Sequence, residues 1–356
     1  MATTRTTSTS GDKRRALGLL SVVAVLALVS LAVIAAAPGT PAADAAGAPA
    51  TASAYGWPVK PFNRSHPVRA NFGDPRTTFH GPPTQAGVLT SRGSFSFHFG
   101  VDIAVPDGTA VYPVRSGTAS LLGGRNVQVD SGGGFRTQYW HIVPAVRPGQ
   151  HVTAQQTVLG YVMKGYEHVH FTELQDGRPV NPLAPGHMGP YDEETAPQLS
   201  SISFRIGNSP REALPESVSG PIVPVVRSQD SPARPVPGVW ANLPVAPALL
   251  TWQVERADSG RIVVPRRVAF DVRETIPENM AFWTYYARGS RQNMATFGTR
   301  RAWRTPGTYL YRLARKPFDT RQLRNGIYRL VVTASDIRGN TSSIEQVFIV
   351  RNGVGT

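Results

Sequence analysis

The sequence predicts an all-β protein in which an antiparallel β-rich domain is followed by a β-sandwich. Short apolar runs separated by glycine and proline recur along the chain, and a helical spacing of apolar residues is scarce. Residues 325–350 alternate apolar and polar side chains on both sides of the turn-forming segment 336–340. Two strands joined by such a turn form a hairpin, which supports the β assignment.

Strand-like runs define the first domain between residues 71 and 185. They span residues 110–114, 118–122, 126–129, 136–142, 158–162 and 168–174. Residues 80–94 lack a period and are rich in turn-forming residues, so we interpret them as a loop. This loop either walls a substrate groove or is a surface insertion.

The second domain is predicted from further runs of the same kind. They span residues 202–206, 222–226, 249–254, 267–272, 280–286, 308–313, 326–335 and 343–350. Together these runs resemble immunoglobulin-like or fibronectin type III modules. We therefore divide the chain into residues 1–48 (a leader and the start of a tether), 49–189 (the first domain), 190–198 (a linker) and 199–352 (the β-sandwich).

The N-terminus has the pattern of an export signal. A basic cluster at Lys13, Arg14 and Arg15 precedes an apolar run over residues 16–37. Small residues over 43–48 favour cleavage there, whereas the run is long enough to anchor the protein in a bilayer if it is retained. The sequence thus predicts a secreted or cell-envelope protein, with the membrane as a partner only if the leader is uncleaved.

Composition narrows both the chemistry and the partners. The chain has no cysteine, so disulfides are excluded and a metal site must use His, Asp or Glu.

Its formal net charge is +14, and residues 198–356 hold 22 Lys and Arg against 11 Asp and Glu. A basic exported protein is attracted to anionic wall polymers. No nucleic acid is expected as a partner, because recognition-helix and aromatic-basic patterns are missing. The alternative to binding of anionic polymers is that the excess of arginine reflects composition alone and has no binding role.

Histidines and one aspartate form the candidate chemistry. His98 and Asp102 are four residues apart in an extended-type segment, and a straight strand would separate their Cα atoms by about 13 Å. We therefore expect a bend at Gly100, which has the conformational freedom for it. His168 and His170 are two apart and would share one face of a strand, with Val169 and the following phenylalanine in the core.

His141, in QYWHIVP, adds a fifth polar residue from a separate strand end. A catalytic zinc typically has three protein ligands and an open position for water, which suits two imidazoles and one carboxylate. Ligand types alone do not separate zinc from other divalent ions. Each motif by itself is more often formed by residues with a structural role. The prediction of a metal site therefore depends on the order and context of the motifs.

Three sequence blocks carry a resemblance to a known family. They are HFGVDIAVPDGTAVYPVRSGTA, YWHIVPAVRPGQHVTAQQTVLG and HVHFTELQDGRPVNPLAP, with NFGDPR upstream. In this order, over residues 71–185, they resemble the lysostaphin-type zinc endopeptidases, also called the LytM family. The resemblance implies a β-rich fold with an open groove and hydrolysis of peptide cross-links or stems of bacterial peptidoglycan.

The resemblance also implies roles for the five residues. His98, Asp102 and His170 match the family's zinc ligands, for one zinc ion per chain. His141 and His168 match its two catalytic histidines. The alternative is a non-catalytic wall-binding protein or an activator of other wall hydrolases, because relatives that have lost ligands act in that way. A third hypothesis is that the chain is chiefly an adhesion or scaffold protein whose basic β-sandwich has the main role.

The sequence departs from the family next to the H-x-H motif. Residues 165–167 read Gly-Tyr-Glu where the family commonly has a turn with Gly-Pro. This difference and the loop over residues 80–94 leave the cleaved bond open. Four histidines have no counterpart in the family pattern, and we expect them at the surface: His66, His80, His151 and His187. His80 is singled out because a loop histidine before the site could occupy the open coordination position.

Overall fold

The computed structural model describes residues 54–77, 95–207, 209–296 and 303–353. The chain divides into two compact units, residues 1–49 and 50–356, and every described residue belongs to the second. The predicted leader, the loop over residues 80–94 and His80 lie outside the described residues. Among the helices that are described, none is long and apolar enough to cross a membrane.

The prediction of an all-β, antiparallel fold is confirmed. The first part of the chain contributes thirteen strands: β1 Val68–Ala70, β2 Pro75–Arg76, β3 Ser96–Phe97, β4 Val101–Ala104, β5 Ala110–Val111, β6 Gly117–Leu121, β7 Asn126–Asp130, β8 Phe135–Trp140, β9 Ile142–Pro144, β10 His151–Val152, β11 Gly160–Val162, β12 His168–Gln175 and β13 Arg178–Val180.

One large sheet organises this first part. Its order is β1-β4-β12-β8-β7-β6-β10, with β13 paired to β12, and a smaller sheet has the order β5-β11-β9. Alternation along the strands places Val127, Tyr139, Val169 and Phe171 in the core with no exposed surface. Because β4 and β12 are neighbours, the side chains before and on them meet at one place on the sheet.

The second part contains β14 Gln198–Ile206, β15 Glu212–Ala213, β16 Pro221–Gln229, β17 Leu249–Arg256, β18 Ile262–Asp271, β19 Met294–Thr296, β20 Trp303–Thr305, β21 Leu310–Arg312, β22 Phe318–Asp319, β23 Gly326–Ser335 and β24 Thr341–Val350. Its helical turns are α1 Phe282–Tyr285 and three 3-10 turns, Gly238–Trp240, Asn279–Ala281 and Thr320–Gln322.

Two antiparallel sheets form most of the second part. One has the order β15-β14-β16-β21 with β22 on β16, and the other has the order β18-β17-β23-β24. Aromatic side chains join the sheets, as where the Phe204 and Phe348 rings lie 5.0 Å apart. The predicted hairpin is formed by β23 and β24. An immunoglobulin or fibronectin identity for this pair of sheets stays a prediction.

One predicted strand is wrong. Residues 280–285 are helical, with Asn279–Ala281 as a 3-10 turn and α1 directly after it, and only Tyr286 is extended. Phe282 and Tyr286 are four residues apart, both are buried, and their rings lie 4.9 Å apart. Helical spacing, not alternation, therefore buries these aromatics.

The two parts share buried polar contacts. The amide of Ala246 donates to Oδ1 of Asp74 at 2.6 Å, and the Tyr286 hydroxyl donates to the Gly73 carbonyl at 2.8 Å. The segment expected as a linker has no regular structure before Gln198, yet Tyr191 is buried within it. The domain boundaries stay predictions, and these contacts place the second part against the segment that leads into the candidate site.

Candidate metal centre

The candidate site forms where β12 crosses β4. In register, His170 lies opposite Asp102 and His168 lies opposite Ala104. His98 belongs to the short bend between β3 and β4, so the chain leaves the extended form between the first two candidate ligands as expected. Gly100 is required by close approach, because a Cβ built there would lie 2.2 Å from the carbonyl oxygen of Phe171.

Three side chains converge on one point. The distances are 2.8 Å from Nε2 of His98 to Nδ1 of His170, 3.1 Å from His98 Nε2 to Oδ1 of Asp102, and 2.9 Å from His170 Nδ1 to the same oxygen. Ligands at about 2.0–2.1 Å from a tetrahedral zinc lie about 3.3 Å apart, so small adjustments admit an ion. The donor set of two imidazoles and a carboxylate therefore fits zinc.

Neighbouring groups orient each of these donors. Nδ1 of His98 donates to the Asn71 carbonyl at 2.9 Å, which leaves Nε2 as the free nitrogen. Nε2 of His170 lies 2.9 Å from Oγ1 of Thr172, and Nη2 of Arg76 donates to the second carboxylate oxygen of the aspartate at 3.2 Å. Such outer contacts fix the ring orientation and the tautomer of a metal ligand.

His168 and His141 lie beside this trio. Nδ1 of His168 donates to the Tyr166 carbonyl at 2.7 Å, so its Nε2 carries the lone pair, 3.6 Å from Oδ1 of Asp102. His141 follows β8 with a φ of 65°, stacks on the Tyr166 ring at 4.5 Å, and has its ring 4.8 Å from that of His168. All five residues predicted from the sequence are thus brought together.

Burial favours the neutral form of three imidazoles at the site, those of His98, His141 and His168. Loss of water lowers the pKa of His98 and of His141 to about 3, and it lowers the pKa of His168 well below its usual value. Burial alone would raise the pKa of Asp102, but the surrounding histidines and their hydrogen bonds hold it well below its usual range. Neutral imidazoles and an ionised carboxylate are the protonation states that a metal requires.

Arg69 on β1 is a further charged group at the site. Its side chain is 8% exposed, and its Nη2 atom lies 3.4 Å from Nε2 of His168. Nη1 donates to the Tyr166 carbonyl at 3.2 Å, and the guanidinium carbon lies 4.1 Å from the centre of the Trp240 ring. A guanidinium therefore lies beside His168.

Sequence reasoning gave no role to Arg69, Arg76 or Thr172. Thr172 continues the two-residue period of His168 and His170 along β12, so alternation could have identified it. Arg76 stands in the NFGDPR segment without a spacing that marks it. Arg69 has no sequence signal, because its position depends on the pairing of β1 with β4.

The other described histidines differ in their exposure to solvent. His151 is exposed, as expected. The expectation is wrong for His66, which is 9% exposed, with its Nε2 3.0 Å from the Pro61 carbonyl. His187 is partly buried, and its Nδ1 lies 2.9 Å from Oε1 of Glu173. Neither His66 nor His187 belongs to the cluster of His98, Asp102 and His170.

Comparison with known proteins confirms the family resemblance. Residues 96–182 match the model of Peptidase family M23, and this segment contains all five predicted site residues. Among curated proteins, none matches the chain significantly.

Several solved structures are similar to part of the chain. A zinc-containing peptidase from Vibrio cholerae is 22% identical, with 37% of this chain and 39% of that chain covered and a TM-score of 0.26. A chain of the SpoIIIAH and SpoIIQ complex is 26% identical over 37% of this chain and 97% of its own, with a TM-score of 0.27. The deep-sea M23 metalloprotease pseudoalterin is 20% identical over 42% and 84%, with a TM-score of 0.24.

Proposed function

We propose that this protein is an exported, zinc-dependent endopeptidase that hydrolyses peptide bonds in bacterial peptidoglycan. One observation carries the proposal, namely the convergence of His98, Asp102 and His170 with His141 and His168 beside them. A histidine cluster with a purely structural role would not need three potential metal-ligand atoms within about 3 Å of one another. Nor would it need a further hydrogen bond that orients each of these side chains. The match of residues 96–182 to a peptidase family supports the same activity.

His98, Asp102 and His170 would hold the zinc ion. When bound, zinc supplies a Lewis acid for the scissile carbonyl and lowers the pKa of water towards about 7. The protein's contribution is to keep the donors in place: the Asn71 carbonyl fixes the ring of His98, and Thr172 fixes the ring of His170. The buried strands beneath exclude water from one side of the centre.

His141 and His168 act on the substrate side of the centre. Nε2 of His168, which carries the lone pair, accepts a hydrogen bond or a proton from the attacking water, and its Nδ1 stays anchored on the Tyr166 carbonyl. His141 lies across from it and can hydrogen-bond the oxygen on which charge develops. This division gives metal binding and proton handling to different side chains.

Single substitutions separate the two roles. His170→Ala is expected to abolish both zinc binding and wall hydrolysis, because it removes a ligand. His168→Ala is expected to keep the zinc and lose hydrolysis. Zinc content is measured by metal analysis after dialysis, and hydrolysis by mass spectrometry of the peptides released from walls of several cross-link types, with His151→Ala as a matched surface control.

The same measurements can contradict the proposal. If zinc-loaded wild-type protein released no new amino groups from any of these walls, the enzyme assignment would fail. The non-catalytic wall-binding alternative would then take its place. If His168→Ala lost the metal as well, the division of roles would be wrong.

Export is proposed from the basic cluster and the apolar run of residues 16–37. N-terminal sequencing of the protein recovered from culture fluid and from envelopes tests it. A mature N-terminus near residues 43–48 is expected, whereas an intact leader in the envelope fraction would favour the anchored form. Recovery from the cytoplasm alone would contradict export.

Anionic wall polymers are the proposed partners of the second part. Arg267, Arg315 and Lys316 line one groove together with Trp252 and Phe318. These three cations are exposed, and no ion pair engages them within the described residues. An aromatic floor with a cationic rim suits an anionic polymer.

Retention on isolated wall sacculi tests this partner. Replacing Arg267, Arg315 and Lys316 together by glutamine is expected to reduce retention several-fold at low salt, and salt should abolish the difference. A control with the same loss of charge replaces three exposed arginines that are already ion-paired: Arg136, Arg234 and Arg321. Equal loss in both triple variants would mean that net charge, not the groove, determines retention.

A further inference from the structure

Arg69 is a buried cation that forms no ion pair with any carboxylate among the described residues. Its side chain is 8% exposed, and within the described residues its only polar contacts are the Tyr166 carbonyl and Nε2 of His168. Its Nε atom is buried and makes no hydrogen bond to any of them. Burying a guanidinium in this way is unfavourable unless an anion completes its environment.

The nearby carboxylates do not fill this role. Asp102 is engaged by Arg76 at 3.2 Å and by the histidines of the metal trio. Asp102 and, more weakly, Glu167 attract Arg69 at longer range, but neither forms an ion pair with it. Burial lowers the pKa of Arg69 to about 10, so the group remains cationic at neutral pH. A positive charge is thus left over beside the catalytic pair.

The geometry around Arg69 is suited to a planar anion. The Trp240 ring lies 4.1 Å from the guanidinium carbon and supports one face of the group. The Tyr166 carbonyl accepts from Nη1 at 3.2 Å and limits its rotation. Nη2 is directed towards His168, which holds it only through a long contact of 3.4 Å. A held guanidinium can present two parallel donors to a carboxylate.

The position of Arg69 relates it to the bond that would be cut. Nη2 lies 3.4 Å from Nε2 of His168, and that nitrogen lies 3.6 Å from Oδ1 of Asp102. A group bound to Nη2 is therefore close to the reacting centre, within about one residue of the scissile bond.

We infer that Arg69 binds a carboxylate of the substrate next to the scissile bond, so that the site selects peptides that carry a negative charge there. The inference rests on the proposed peptidase function and adds a substrate class to it. The carboxylate has two sources, the free C-terminus of a peptide and the side chain of an acidic residue that follows the bond. Both have the same recognition chemistry, and the experiment separates them.

Binding of three N-acetylated glycine-based peptides to the zinc-loaded protein tests the inference. One ends in a free carboxylate, the second ends in a carboxamide, and the third ends in a carboxamide but carries a glutamate side chain. Affinities are measured by calorimetry for wild type, Arg69→Gln, Arg69→Lys and the control Arg64→Gln, which removes an exposed charge. Measurements on metal-free protein identify any carboxylate held by zinc alone.

Wild type and Arg64→Gln are expected to prefer a carboxylate peptide over the carboxamide by about tenfold or more. Arg69→Gln should remove the preference, and Arg69→Lys should retain only part of it, because lysine keeps the charge without the planar fork. Whichever carboxylate peptide binds better names the source. If Arg69→Gln does not fold, the carboxylate preference of wild type and its partial loss in Arg69→Lys still test the inference.

Equal binding of all three peptides to wild type, or no binding, would overturn the inference. A preference that persists in Arg69→Gln would also overturn it, since the carboxylate would then be held by zinc or by another cation. These outcomes do not depend on turnover. A protein that hydrolyses peptidoglycan without a carboxylate preference would lose only this inference, and a protein that binds carboxylates but hydrolyses nothing would lose only the proposed activity.

Discussion

Oγ1 of Thr172 lies 2.9 Å from Nε2 of His170 on the same face of β12. The hydroxyl occupies one ring nitrogen, which leaves Nδ1 directed at His98 and Asp102 at 2.8 and 2.9 Å. A short side chain two residues along the strand thus sets the tautomer of a proposed metal ligand.

Thr172→Val is expected to weaken zinc binding by about 10- to 100-fold, because the isosteric valine removes the oxygen that orients the His170 ring. Competition with a zinc chelator measures the affinity. Thr118→Val is the control, since Thr118 is exposed on β6. Unchanged affinity in Thr172→Val would show that the strand alone orients the ring.

Gly100→Ala is expected to destabilise the protein by about 1–3 kcal/mol and to lower its zinc content. The added Cβ would lie 2.2 Å from the Phe171 carbonyl oxygen and 2.9 Å from Nε2 of His170, so it would push apart the strands that carry the ligands. Denaturant unfolding measures the first effect and metal analysis the second. Gly353→Ala, where nothing lies within 4 Å of the added atom, should be neutral.

The candidate site was largely predictable from the sequence because its signals are local. His168 and His170 alternate with the buried Val169, which fixes their face from two-residue spacing alone. The bend at Gly100 was also predictable, although its cause was not. Conformational freedom suggested the glycine, whereas the structure shows that the passing Phe171 carbonyl leaves no room for a side chain.

Features that depend on the pairing of distant strands could not be predicted from the sequence. Arg69 enters the site because β1 pairs with β4, a contact that no spacing in the sequence encodes. The segment ending at Tyr286 has aromatic residues typical of strands, and a strand was predicted. The core against which Phe282 and Tyr286 pack selects a helical turn, which overrides that local preference.

Asp230→Asn is expected to stabilise the protein at alkaline pH. Burial, followed by repulsion from Glu193 and Asp336, raises the pKa of Asp230 to about 8. The folded state therefore holds a proton that the unfolded chain releases above about pH 4, and stability falls as pH rises from there to about 8. The neutral asparagine avoids this loss, so its advantage should grow by about 2 kcal/mol or more between pH 5 and pH 8.

Urea unfolding of both proteins at each pH measures the effect of Asp230→Asn. Glu194→Gln is the control, because Glu194 is exposed one residue beyond the buried Glu193. A constant difference between wild type and variant across this range would show that Asp230 is ionised in the folded protein.

His187→Gln is expected to lower the free energy of unfolding by about 1–2 kcal/mol at pH 5.5 and by less at pH 8. The hydrogen bond to the buried Glu173 raises the pKa of His187. A histidine whose folded pKa is raised contributes stability that is fully present below its unfolded pKa, near 6.5, and that is lost as pH rises through the folded pKa. Thermal unfolding across this range measures the difference, with His151→Gln as the exposed control. A difference that grew with pH would mean that the neutral ring, and not the ion pair, stabilises Glu173.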